Sequence, residues 1–223
     1  MDPIRDLTNA ATGMTLGPSI SRWLVRVIPL LILLYALWWL ANVEESVLAA
    51  IKILMESLLP QLFSTVSSVA HAVGGGWKIT TTVHPVAEPS VVVALTIAPV
   101  FLKKCIVWVP AALALVLASA AKKPKTIGLA FLVVLIATVA LILICIAAHL
   151  AVTINGTAAM LDDDLLPPPP DFRLNAIPYP LWYFHLITFA NYLGILVAPL
   201  AMPVIIWCVT CNKEIRAMLG TAK

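Results

Sequence analysis

One cysteine of this sequence has neighbours that favour thiol chemistry. Cys105 directly follows Lys103 and Lys104, and nearby cations favour the reactive thiolate form of a cysteine. A thiol transpeptidase or protease also needs a histidine base and a group that stabilises an oxyanion. The spacing brings none of the candidates for these roles to Cys105, namely His71, His84 and Arg173. The alternative interpretation is a small apolar residue beside interfacial lysines.

Two histidines form a second constellation. His149 and His185 lie near the ends of two apolar stretches that follow each other along the chain. If their depths match, the two imidazoles are placed to ligate one haem iron axially. Two neutral histidines that hydrogen-bond near the membrane surface are the alternative. Cys208 and Cys211 have the spacing of a metal-binding pair, but a second pair is missing from the sequence, so we predict no metal site.

Four long apolar stretches must position these residues. The chain has 223 residues, of which 61% are hydrophobic and 11% are charged, whereas soluble proteins contain about 25% charged residues. A helix needs about 20 apolar residues to cross a hydrocarbon core. The composition therefore indicates an integral membrane protein, with apolar stretches at Trp23–Ala41, Cys105–Ala121, Ile127–Ile154 and within Ile177–Cys211.

Basic residues collect at alternate ends of these stretches. Arg5 and Arg22 precede the first stretch, a lysine-rich loop joins the second to the third, and Lys213 and Arg216 follow the fourth. Because cytoplasmic loops carry the excess of Lys and Arg, this pattern predicts four spans with both termini in the cytoplasm. The formal charge of +3 follows from this topology and does not indicate a nucleic-acid partner.

The predicted fold class is an all-α integral membrane protein. It is a four-span helical bundle, N-in and C-in, with an extracytoplasmic helix and a short β-ribbon inserted after the first span. The predicted segments are a cytoplasmic arm (1–21), span 1 (22–42), the extracytoplasmic insertion (43–104), span 2 (105–121), a basic cytoplasmic loop (122–126), span 3 (127–154), an acidic and proline-rich extracytoplasmic loop (155–184), span 4 (185–211) and a cytoplasmic tail (212–223).

The 43–104 insertion begins with an amphipathic segment. Apolar residues recur at helical spacing from Val47 to Phe63, which predicts a helix with one apolar face. That face either lies on the outer leaflet or packs against the spans, and the sequence does not separate these alternatives. Further on, Trp77–Val83 and Val91–Ile97 predict two strands. Two strands alone are marginal in water, so they need a covering surface.

The fourth apolar stretch combines small residues with prolines. Gly194, Ala198 and Ala201 are spaced i, i+4, i+7 and would form one stripe along a straight helix. Small residues let a neighbouring membrane helix approach closely, and Pro199 and Pro203 should bend the span. These five residues are therefore the predicted partner-contact site. The neighbouring helix belongs either to a partner protein or to this chain's own second or third span.

Several segments, taken in order, resemble the exosortase H-associated membrane proteins of Gram-negative bacteria. The resemblance covers most of residues 20–219 and is one of layout. Its carriers are Arg22–Arg26, Leu37–Ala41, Leu58–Pro60, Val109–Leu115 and Leu193–Val204. The resemblance implies an accessory to a multi-pass sorting transpeptidase that processes proteins with a C-terminal signal helix. That transpeptidase uses a Cys, an Arg and a His, and this sequence has no recognisable set of the three.

The sequence and this resemblance together predict a non-enzymatic accessory or scaffold protein of the bacterial inner membrane, without a cofactor. The expected partners are the lipid bilayer and an integral-membrane protein such as a sorting transpeptidase or its substrate. The spans contain no Asp or Glu, which argues against an ion-coupled transporter. Two alternatives stay open: a thiol-dependent transpeptidase or protease centred on Cys105, and a haem-binding four-helix membrane protein that uses His149 and His185.

The predicted topology can be tested by cysteine labelling. Cysteines introduced near Thr81 and Asp163 should react with a membrane-impermeant maleimide in intact cells. Cysteines introduced near Lys123 and Lys213 should react only after permeabilisation, because short basic loops stay in the cytoplasm. Labelling of the Lys123 position in intact cells would contradict the predicted orientation.

Overall fold

The computed structural model describes residues 18–86, 89–120, 123–162 and 174–218. Most of the predicted N-terminal arm lies outside these residues, as does most of the acidic and proline-rich part of the 155–184 loop. The elements are α1 Pro18–Leu40, α2 Val43–Leu62, β1 Val66–His71, β2 Trp77–Thr81, β3 Ala94–Ile97, α3 Pro99–Lys104, α4 Val109–Ala120, α5 Pro124–Asp162, α6 Leu181–Leu196, α7 Ala198–Thr210 and α8 Asn212–Met218.

Long apolar helices dominate this architecture. In the part of the chain that the structure describes, three stretches are long and apolar enough to cross a membrane: Ser21–Leu40, Pro99–Ser119 and Pro124–Asn155. The bent pair of α6 and α7 makes a fourth if it is counted as one span. The predicted all-α integral membrane class is confirmed in part: the structure is mostly helical, with three or four candidate spans, and it also contains a small sheet.

The last apolar stretch is broken into two helices. The axes of α6 and α7 differ by 79°, and the break falls at Val197. Pro199 has no N–H, and its ring conflicts with the carbonyl four residues earlier, so the chain leaves the helix and restarts it with Pro199 in the first turn. Gly194 consequently lies on a different helix from Ala198 and Ala201. The three do not form the single straight stripe that their spacing predicts.

The second candidate span begins before Cys105. Its first helix is α3, and a short turn connects α3 to α4, so the apolar stretch runs from Pro99 to Ser119. Lys103 therefore lies within this stretch, where it forms an ion pair with Glu44 from the first turn of α2. A charge near a membrane is tolerated when it is paired. The ion pair with Glu44 explains how Lys103 is accommodated at the end of the second span that lies opposite the basic loop.

A three-stranded antiparallel sheet follows α2. The strand order is β1-β2-β3, and β2 and β3 confirm the two predicted strands, with slightly shorter bounds. β1 was not predicted. The turn from β1 to β2 places Gly74 and Gly75 at φ values of 92° and 88°, a region that residues with a Cβ rarely adopt.

The apolar face of α2 covers the sheet. The buried residues of the helix are Leu48, Ile51, Met55 and Leu59, and they belong to one buried cluster with residues of the strands, including Val66, Val69, Ile79 and Ile97. The four residues are therefore buried within the protein, and their covering surface includes the sheet, which neither predicted alternative, the outer leaflet or the spans, had named. Leu54 and Leu62 stay 43% and 55% exposed.

Burial on α2 gives a matched test of this packing. Leu59→Ala should lower the free energy of unfolding by about 2–5 kcal/mol, because it leaves a cavity at a fully buried position. Leu54→Ala makes the same change on the exposed side of the helix and should have a much smaller effect. Denaturant titration in mild detergent measures both, and equal losses would contradict the observed face.

Candidate functional site

Cys105 lies in the interior of the protein. Its side chain is only 2% exposed, and its thiol donates to the carbonyl oxygen of Phe101 at 3.3 Å. The thiol also contacts that of Cys145 on α5. A nucleophile that attacks a peptide must be reached by its substrate. This arrangement therefore does not favour the transpeptidase or protease that Cys105 suggested.

His149 lies one turn after Cys145 on α5. Its Nδ1 donates to the carbonyl oxygen of Cys145 at 2.8 Å, and the Cys145 sulfur is 3.7 Å from the same nitrogen. A nitrogen that donates to a carbonyl is not free to accept a thiol proton. Cys145 and His149 are four residues apart in the sequence. In the structure the histidine bonds to the backbone carbonyl of Cys145, so the two side chains do not form a thiol–base pair.

The two histidines of the haem alternative have different surroundings. The ring of His149 meets Phe101 edge-on at 5.2 Å, whereas the ring of His185 lies beside Phe184 at 5.6 Å. Among the described residues, no hydrogen bond or ring contact joins the two histidines. The haem site accordingly stays a prediction that this geometry does not support.

A crevice with a mainly apolar lining surface lies between α3, α5 and α6, near the end of the protein that carries the sheet. Its volume is about 330 Å³. Half of the lining residues are apolar: Phe101, Ala148, Val152, Ile195 and Leu196. The other half are polar or charged: Lys104, His149, Thr188, Asn191 and Tyr192. So many hydrogen-bonding groups at the side of an apolar helix mark this crevice as the candidate functional site.

Two of the polar groups in the crevice have no hydrogen-bond partner among the described residues. The hydroxyl oxygen of Thr188 is buried and makes no hydrogen bond. Other helical threonines, Thr138 and Thr153, donate to the carbonyl four residues earlier at 2.8 Å. The side chain of Asn191 also makes no hydrogen bond to the described part of the chain. Buried polar groups are usually satisfied, so the buried hydroxyl of Thr188 indicates a partner beyond the described residues. The partly buried amide of Asn191 lines the same crevice.

The five predicted partner-contact residues are divided by the break at Val197. Gly194 faces this protein's own α5, because a Cβ built there would lie 3.1 Å from a methyl carbon of Leu141. Ala198 and Pro203 are buried on α7, whereas Pro199 and Ala201 are partly exposed. Their role in binding a partner stays a prediction.

A larger cavity, of about 730 Å³, lies beside the start of α6. Part of its lining is aromatic: Phe63, Tyr179, Trp182 and Tyr183. The side-chain amide of Asn155 holds the chain that enters α6, since it donates to the carbonyl of Tyr179 at 3.1 Å and accepts from its N–H at 2.9 Å. Both the cavity and the crevice are thus bordered by α6.

Sequence reasoning missed the role of α6 as the common border of these cavities. Asn191 is visible in the sequence as an amide inside an apolar stretch, and that signal alone marks a membrane helix for attention. Whether the amide is already paired depends on which helix faces it, which the spacing of one segment does not reveal.

These features define a class of protein. It is a helical membrane protein with a small sheet at one end and, between its helices, a crevice that contains a buried hydroxyl without a described partner. A family model described as exosortase H-associated membrane protein matches residues 17–214. The chain belongs to that family, and the resemblance found in the sequence is confirmed. No curated protein and no solved structure matches the chain. The family description, which names an association with an exosortase, agrees with an accessory role.

Thiol accessibility tests the description of the cysteines. Cys208 is exposed, whereas Cys105, Cys145 and Cys211 are buried. In mild detergent, a maleimide should therefore modify Cys208 rapidly and the other three only after denaturation, as mass spectrometry of the peptides would show. Rapid modification of Cys105 in the folded protein would contradict its burial. That result would favour the alternative in which the protein is a thiol-dependent enzyme centred on Cys105.

Proposed function

We propose that this protein is a non-enzymatic accessory of a membrane-embedded sorting transpeptidase of the exosortase type. It holds that enzyme, or a substrate on its way to the enzyme, by contact along α6. In this proposal the protein is a multi-pass protein of the bacterial inner membrane with both termini in the cytoplasm. The sheet and α2 then face the extracytoplasmic side, because the basic residues gather at the other end of the spans.

The observation that carries the proposal is the pair of unsatisfied groups on α6. An amide without a partner is costly in hydrocarbon, and membrane helices commonly associate through such side chains. A neighbouring helix with a hydroxyl, amide or carbonyl group at the same depth would satisfy Asn191 and Thr188. The crevice is open enough to admit a side chain from such a helix.

The exposure of α6 supports the same surface. Although α6 is apolar along most of its length, it has no buried residue, because it leans on α5 and leaves its other sides uncovered. Phe189 and Tyr192 remain 61% and 60% exposed. Large aromatic side chains provide contact area at low cost in conformational entropy, so this side of α6 is suited to a protein neighbour.

The cavity beside the start of α6 extends the surface beyond the helix. A transmembrane partner that lies along the crevice continues into a segment outside the membrane. The aromatic lining of the cavity, with the unpartnered hydroxyl of Thr65 among its walls, offers that segment both apolar contact and a hydrogen bond. A substrate with a terminal membrane helix has this combination of a helix and a flanking segment.

The proposal is tested with Asn191→Leu, which keeps the side-chain size but removes the amide. Affinity purification of the tagged protein in mild detergent, from cells that contain the exosortase, should recover about 3- to 30-fold less exosortase or substrate. This range follows from the worth of one hydrogen bond between membrane helices. The matched control is Gln61→Leu, which removes the side-chain amide of an exposed residue on α2 that lines neither the crevice nor the cavity beside α6.

The two variants separate the outcomes. A loss confined to Asn191→Leu at normal protein abundance supports binding at the crevice. Unchanged recovery with Asn191→Leu would contradict the role of α6. If the unmodified protein recovers neither exosortase nor an exosortase substrate, the accessory function itself is wrong.

A further inference from the structure

We propose that a second cavity, at the opposite end of α5, binds the phosphate group of an anionic membrane lipid. The cavity has a volume of about 520 Å³ and lies where α7 ends, α8 begins and α5 begins. It is separate from the crevice and does not depend on the function proposed above.

Three cations from two parts of the chain converge on this cavity. Lys123 precedes α5, whereas Lys213 and Arg216 belong to α8, and all three line the cavity. None of the described lining residues is acidic. Glu214 lies between the two α8 cations in the sequence and offsets one of them, so Lys123 from a different segment raises the formal charge of these four residues from +1 to +2.

The other lining groups suit an anion with several oxygens. The guanidinium of Arg216 is oriented by Asn212, whose side-chain oxygen accepts from Arg216 Nε at 2.9 Å. A planar guanidinium matches pairs of phosphate oxygens, and lysine ammonium groups add point charges around them. The hydroxyl of Thr126 also lines the cavity, so neutral and charged donors surround the same space.

The depth of the cavity is that of lipid headgroups. The candidate span of α5 begins at Pro124, next to Lys123. One turn before the end of α7, Trp207 stacks on Trp23 with the ring centroids 4.8 Å apart, and tryptophan is enriched where a membrane meets water. A phosphate held by the three cations would therefore lie in the headgroup layer.

The surfaces beside the cavity point to a lipid and not to free phosphate. Exposed apolar side chains continue from the cavity along both bordering helices: Ile205 and Val209 on α7, and Leu129 and Leu132 on α5. They give acyl chains a surface to follow while the phosphate stays at the cations. Basic pockets between membrane helices bind anionic headgroups in this way.

The test is a lipid titration of the purified full chain in a nonionic detergent, followed by native mass spectrometry. The probes are dioctanoyl phosphatidylglycerol, dioctanoyl phosphatidylcholine and inorganic phosphate. The unmodified protein should prefer phosphatidylglycerol, and Lys123→Gln, Lys213→Gln and Arg216→Gln should each weaken that binding about fivefold. Lys125→Gln is the matched control, since Lys125 is an exposed cation two residues from Lys123 that does not line the cavity.

Each alternative gives a different result. Equal weakening by Lys125→Gln and Lys123→Gln would mean diffuse attraction to basic residues and would overturn the site. Equal binding of the two lipids by the unmodified protein would overturn it without any variant, so a variant that fails to fold does not obscure the outcome. Displacement of phosphatidylglycerol by inorganic phosphate at equal concentration would assign the cavity to free phosphate instead of a lipid.

Discussion

The arrangement of the spans depends on one serine on α4. The hydroxyl oxygen of Ser119 accepts from the indole N–H of Trp23 at 2.9 Å and from that of Trp207 at 2.7 Å, and the hydroxyl donates to the carbonyl of Leu115 at 3.0 Å. A single side chain thus joins α1, α4 and α7. In a bilayer, hydrophobicity does not distinguish a helix from the surrounding lipid, so close packing and hydrogen bonds between helices decide their order.

The rest of α4 agrees with this central position. Ala112, Ala114 and Ala118 are buried, and small side chains let the neighbouring backbones approach. Toward the other end of α1, the hydroxyl of Tyr35 donates to the carbonyl of Val107 at 3.0 Å, so α1 is fixed to the second span at two heights. With α1 and α7 held against α4, α6 is left at the periphery.

Much of this fold could be predicted from the sequence, because run length and periodicity report directly on membrane helices and on an amphipathic helix. β1 could not, since its buried residues Val66 and Val69 are three apart and its register with β2 shifts between Val66 and Ser68. Strict alternation is the sequence signal of a half-buried strand, and the shift removes it. The pairing of Lys103 with Glu44 was equally hidden, because it joins residues 59 positions apart.

The candidate site shows why a broken helix differs from a straight one of the same composition. α7 buries Ala198, Pro203 and Ile206, whereas α6 buries none of its residues. In one straight helix, Gly194 and Ala198 would lie on the same face and would contact the same neighbouring helix. Because of the 79° bend, α7 packs inside the protein, whereas α6 lies at its side. The amide of Asn191 on α6 lines the crevice there. The five predicted partner-contact residues thus stay a prediction, while the contact proposed above uses Thr188 and Asn191 on α6, which the small-residue spacing does not include.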